Sequence, residues 1–191
     1  MVKTLDISTK KVIFDTDCLS SFLWVNEENI ILDLFDGLIV IPDDVYEELS
    51  KVKSLKEKIY KLIKNNKVTT KSILFNTPEY DLFLEMTRKP KITKLIIGNG
   101  EASAISLCVY NDGILASNNL KDIDVYVNKY NLDLLTTPDI LYMAYNKKMI
   151  SEDKANHIWL EMIKKKRWLP NVSFTKYLES IEKSKVSKQY K

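Results

Sequence analysis

The sequence has little of what proteins use to hold soft or transition metals: one histidine and two cysteines in 191 residues. Cys18 and Cys108 show no metal-ligand spacing, so a thiolate–imidazole zinc site is excluded, and both read as reduced, partly buried thiols. His157 falls beyond the last recognisable strand, on a segment rich in Trp and Met. There a packing or surface role is expected in place of catalysis. Glycine and proline are scarce, with four and five residues, which excludes a low-complexity or collagen-like chain. No apolar run approaches the length of a bilayer span. Met1-Val2-Lys3-Thr4-Leu5 lacks the charged-then-apolar layout of a signal peptide. A cytoplasmic protein without a membrane association is therefore expected.

What is present is enough chain for one domain with a proper core. A single domain is expected over residues 1–179, with C-terminal helices from about residue 138. Residues 180–191 read as a basic tail that frays. The formal net charge of +3 is unevenly placed. From Ser151 onward ten Lys/Arg face five Asp/Glu, giving +5, and the remainder carries −2 from nineteen against twenty-one. A basic arm beside an acidic body suits a protein that holds cations in one place and polyanions in another. A Lys-rich solvated tail gives the same pattern.

The stretch that organises the chain is Val12-Ile13-Phe14-Asp15-Thr16-Asp17. Its continuous apolar run predicts a strand buried on both faces, as in a parallel sheet. Asp15 at its tip is either an N-cap or the first member of an acidic site at the strands' carboxyl ends. Further buried strands are predicted at Leu38–Ile41, Ile114–Ser117 and Leu132–Leu135, with a short one within Lys67–Leu74. Helices are predicted between them: Leu19–Trp24, Glu27–Phe35, a segment opened by Pro42, Ser54–Lys64, Thr77 to about Arg88, one entered at Gly98–Gly100 and reaching Tyr110, and Leu120–Lys129. Two more are predicted over Thr137–Lys147 and from Ser151 to Arg167. The alternation predicts an α/β fold, three layers α/β/α around a parallel sheet.

Helical spacing separates two kinds of acid. Val45, Leu49 and Val52 define the buried stripe of the helix after Pro42, and Glu48 sits at its margin. Glu47, Asp44 and Lys51 are expected to face away. Glu101 shares the core-facing side of its helix with Ala104, Ile105 and Cys108, in the first turn, where the dipole favours an anion. Surface roles are open to both acids; convergence of Asp15, Glu48 and Glu101 at one sheet edge is the functional alternative. Three carboxylates so placed cannot all stay ionised without a cation, and an oxygen-only ligand set selects Mg²⁺ or Mn²⁺.

On these residues the chain resembles the PIN-domain family, metal-dependent nucleases that include the VapC-like toxins of toxin–antitoxin pairs. Phe14-Asp15-Thr16-Asp17-Cys18-Leu19 resembles the family's first acidic motif. Pro42, Val45, Glu48 and Leu49 resemble its Pro-x-x-Val-x-x-Glu-Leu segment, and Gly100-Glu101-Ala102-Ser103-Ala104-Ile105 its Gly-Glu-Ala-x-Ala-Ile motif. Ala116-Ser117-Asn118-Asn119 stands where the family writes Thr-x-Asp or Thr-x-Asn. The likeness spans roughly Val12 to Tyr177. It implies a parallel sheet of about five strands and cleavage of single-stranded RNA with one or two Mg²⁺ or Mn²⁺ ions.

By this resemblance Asp15, Glu48, Glu101 and Asn119 are the catalytic and metal-binding set, with Asp17 as a further ligand. Asn119 departs from the usual Asp and removes one negative charge, for which Asp17 or Asp122 is the expected compensation. Ser117 is expected to orient the cluster. Lys91, Lys94, Lys121 and the run Lys164, Lys165, Lys166, Arg167 are candidates to guide RNA phosphates. Trp168 either packs at a helix end or stacks a base. A toxin would have an antitoxin protein as partner, and a homodimer is a further expectation. The alternatives are a non-catalytic module of the same fold that binds RNA or protein, and a structure-specific DNA nuclease.

Overall fold

The structure is a computed structural model that describes residues 9–88, 91 and 96–189. Lys94 and the start of the apolar run at Leu95 lie outside the described residues. The chain begins with β1 (Val12–Phe14), α1 (Thr16–Trp24), α2 (Glu28–Leu34), β2 (Ile39–Pro42), α3 (Asp43–Ser50) and α4 (Lys53–Lys64). It continues with β3 (Thr69–Lys71), α5 (Pro78–Arg88), α6 (Asn99–Asn111), β4 (Ile114–Ala116) and α7 (Leu120–Tyr130). It closes with β5 (Asp133–Leu135), α8 (Thr137–Asn146), α9 (Glu152–Lys164) and α10 (Phe174–Gln189).

The five strands form one sheet in the order β3-β2-β1-β4-β5, with every pairing parallel. Side chains alternate across it as strand geometry requires. Val12 and Phe14 of β1 join a core with α1, α2, α4, α8 and α9 on one face. Ile13 joins a second core on the other, with Leu82 and Met86 of α5, Ile105 and Leu107 of α6, and Ile123 and Tyr126 of α7. This is the expected three-layer α/β/α arrangement. The edge strand β3 is exposed along its length.

The sheet builds outward from β1 on both sides, so the strand order reverses between β1 and β4. Doubly wound sheets open a crevice at that point, outside the carboxyl ends of the strands. Asp15 follows β1 there and Ser117 follows β4.

Two elements differ from expectation. Helix α1 starts at Thr16, not Leu19, because Asp15 caps it directly. Residues 180–189, expected as part of a fraying tail, continue α10, and Ile181 is buried against the body of the protein. The Tyr177 hydroxyl donates to Asp139 Oδ1 at 3.0 Å, tying α10 to the capping box that starts α8.

Candidate active site

Asp15 takes the capping role that its position allowed. Its backbone is extended, and Oδ1 accepts the Cys18 N–H at 2.7 Å as the N-cap of α1. The side chain is also 0 % exposed, and its Oδ2 is buried without a partner. Burial pushes its pKa up to about 7; the charges of Asp17 and Glu101 add to the rise, while Ser117 and the Cys18 N–H oppose it. A carboxylate shut off from water, with only the Cys18 N–H and Ser117 to oppose its burial, carries a cost that a cation or a proton relieves.

Glu48 and Glu101 come from the two helices that flank this crevice. Glu48 accepts from the Thr16 hydroxyl and, through Oε1, from the Gly100 N–H at 3.0 Å. Gly100 is required for that approach. A Cβ there would lie 2.6 Å from Thr16 Oγ1 and 2.8 Å from Glu48 Oε2. Glu101 sits in the first turn of α6, half-buried. Its pKa is raised chiefly by burial, with Asp122 and Glu48 adding charge, against the hydrogen bonds of Asn119 and the Gly98 backbone.

Asn119 spends its amide on its neighbours. Nδ2 donates to Glu101 Oε1 at 2.7 Å and to Asp122 Oδ2 at 2.8 Å. A neutral N–H₂ thus screens two carboxylates from each other. Ser117, almost fully buried, receives the Asn119 N–H at 3.4 Å. Asp17 is paired with Arg167, whose Nη1 lies 3.0 Å from Oδ1. The Asn118 amide approaches its other oxygen at 3.3 Å.

Asp17, Glu101, Asn118, Asn119, Leu120, Lys121 and Trp168 line a cleft of about 540 Å³. Asp15 lies out of reach of solvent beside it, and Glu48 is held against Thr16 and Gly100. Among the described residues no three His, Cys, Asp or Glu side chains stand together as a ligand set for one ion. Asp17 and Glu101 lie close enough to raise the pKa of Asp15, and Glu48 that of Glu101, yet Glu48, Glu101 and Asp17 are each drawn aside by a hydrogen-bond or ion-pair partner. In donor chemistry the residues fit a hard divalent ion: carboxylate and amide oxygens only, one of them buried and unpartnered.

The basic candidates do not form one patch. Lys121 is exposed at the cleft, whereas Lys164 pairs with Glu161 at 2.6 Å and Lys165 lies over the Trp24 ring at 5.9 Å. Lys166 takes a left-handed backbone, φ 59°, that reverses the chain after α9. Arg167 is committed to Asp17. Lys91 is exposed, as is His157 on α9. Cys18 and Cys108 are unpaired and fully buried, not partly so.

Several contributors escaped the sequence reading. Thr16 and Asn118 neighbour residues that were singled out, but their partners, Glu48 and Thr137, are distant in the chain. Asp44, expected to face solvent, accepts from the buried Ser103 hydroxyl because α3 packs directly on α6. Trp168 stands largely exposed on the cleft wall. Compared with known families, the chain matches a model described as a PIN domain over residues 11–183. No curated protein matches it.

Proposed function

From the premise that this chain belongs to the PIN-domain family, whose members are generally nucleases and usually use divalent metal ions, we propose that it is an Mg²⁺- or Mn²⁺-dependent endoribonuclease acting on single-stranded RNA. The observation that carries the reading is Asp15: a buried carboxylate with an unpartnered oxygen, at the sheet's crevice, beside Glu101. A purely structural cap has no need of that second oxygen.

Asp15 and Glu101 are the residues assigned to hold the ion, with the Asn119 carbonyl and Asp17 completing the oxygen set. When bound, a divalent ion lowers the pKa of water and stabilises charge on a phosphoryl group. The protein does the rest. Gly100 and Thr16 fix Glu48 so that its charge faces the entrance of α6. Glu101 lines the cleft, its pKa raised chiefly by burial. Lys121 on the same wall supplies a cation for a flanking phosphate. Ser117 holds the Asn119 backbone.

The test is cleavage of a single-stranded RNA with Mn²⁺ by the wild type beside Glu101→Gln. Cleavage that EDTA abolishes and the variant lacks is expected. A second reading, a non-catalytic module of the same fold, is favoured by the Asn119 amide bridging Glu101 to Asp122 and by the Asp17–Arg167 pair. Failure of both proteins to cut RNA, with RNA or partner binding independent of metal, would establish it. DNA and RNA in competition separate the third reading, a structure-specific DNA nuclease. If the protein is a toxin, an antitoxin protein and a second copy of the chain are the proposed partners, and light scattering of the purified and co-expressed protein tests both. No helix among the described residues is long and apolar enough to cross a membrane.

A further inference from the structure

Two of the three tryptophans have settled surroundings. Trp159 is fully buried with its N–H on the Asn171 carbonyl at 2.8 Å, and Trp24 lies partly buried under Lys165. Trp168 is 61 % exposed. The left-handed turn at Lys166 projects it: Lys166 N–H returns to Ile163 O and Arg167 N–H to Met162 O, closing α9 and swinging the next residue outward.

Trp168 borders two hollows at once. On one side is the acidic cleft with Glu101 and Asn119. On the other is a groove of about 720 Å³ between the end of α9 and α10, lined by Pro170 and Val172 and by Arg167, Lys176 and Lys183. Glu179 is the groove's single acid. Among the described residues Lys176 pairs only with Glu179 of the same helix, a solvated pair that exchanges readily for phosphate.

An exposed indole flanked by cations is what stacks a base while the backbone is held by charge. We propose that Trp168 is a stacking platform for one base of a single-stranded RNA. The strand would run from the acidic cleft across the indole into the groove that carries Lys176 and Lys183. The charge of that groove selects a polyanion over a protein helix as its occupant. The cleft end of this path rests on the nuclease reading; the platform and groove stand on their own geometry.

The probe is a fluorescein-labelled 2′-O-methyl oligouridine, which resists cleavage, titrated in EDTA and followed by anisotropy and by tryptophan emission. Wild type is expected to bind with quenched emission. Trp168→Ala should weaken binding roughly 5- to 150-fold, the span measured for one stacked base. Trp168→Phe should keep affinity within a few-fold while losing most of the quench. Lys176→Gln with Lys183→Gln should reduce the salt slope by roughly 1.4, at about 0.7 per contact on single strands. Binding by Trp168→Ala within twofold of wild type, or no binding by wild type, overturns the proposal. Binding through Trp168 without cleavage under any metal leaves the platform standing and removes the nuclease reading. RNA cleavage alongside undiminished binding by Trp168→Ala does the reverse.

Discussion

Replacing Asp15 by Asn tests how the site is balanced. The folded protein holds this carboxyl with a pKa of about 7 against an ordinary value of 3.8. A carboxyl whose folded pKa is raised keeps a proton that the unfolded chain has already lost. Stability therefore falls as pH rises from about 4 to about 7, and the penalty is complete above that window. By linkage the raised pKa costs on the order of 2 kcal/mol at pH 5, where the folded carboxyl keeps its proton, and on the order of 4 kcal/mol at pH 8. Asn removes that charge and caps as well as Asp, keeping an oxygen for the Cys18 N–H. Urea unfolding in EDTA should find Asp15→Asn more stable at both pH values, with the gap over wild type widening by about 2–3 kcal/mol from pH 5 to pH 8. In melting temperature the widening is roughly 5–10 °C for a chain of this size. Adding Mn²⁺ at pH 8 should raise the wild type and leave the variant unmoved, since only a species that binds the native state stabilises it. A gap that stays constant with pH, or a variant less stable than wild type at pH 8, would refute the account of a strained buried carboxylate.

Three further substitutions probe the neighbours. Asn119→Asp replaces two donated hydrogen bonds with a third negative charge; without metal it should lose about 2–3 kcal/mol at pH 8, while Mn²⁺ binds more tightly by calorimetry. Unchanged melting and unchanged Mn²⁺ affinity would show that the amide bridges nothing of consequence. Gly100→Ala drives a methyl against Thr16 and Glu48 and should cost roughly 1–3 kcal/mol in thermal unfolding; a neutral result would mean that α6 can back away freely. Lys166→Gly relieves a left-handed non-glycine residue and should stabilise by up to ~1 kcal/mol, read from the urea midpoint. A loss of stability there would contradict the strain assigned to that turn.

The layers of the fold were legible because they rest on short-range pattern. Val12–Phe14, Leu38–Ile41 and Ile114–Ala116 are apolar without interruption, and only a strand covered on both faces uses such runs. Glu48 and Glu101 were legible for the same reason: three- and four-residue spacing fixes which side of a helix they share. Partnerships across the chain were not. Arg167 reaches Asp17 over 150 positions, and nothing near either residue marks the other. Asp44 sits opposite the buried stripe of α3, yet α6 crosses that side and supplies Ser103. Trp168 beside a basic run at a helix end resembles many packed tryptophans; its exposure comes from the left-handed turn at Lys166, a conformation that lysine does not advertise. The end of helix α10 escaped because the residues past Ser180 are mostly polar; among the described side chains there, Ile181 is the buried anchor.

The outer strand β3 is three residues long, Thr69-Thr70-Lys71, and wholly exposed. Strand borders of this kind leave amides and carbonyls open to any extended peptide that drifts past. Brevity and a terminal ammonium make this border a poor template, so concentrated samples should resist fibrous stacking along it, and Lys71→Val is the change that would invite such growth.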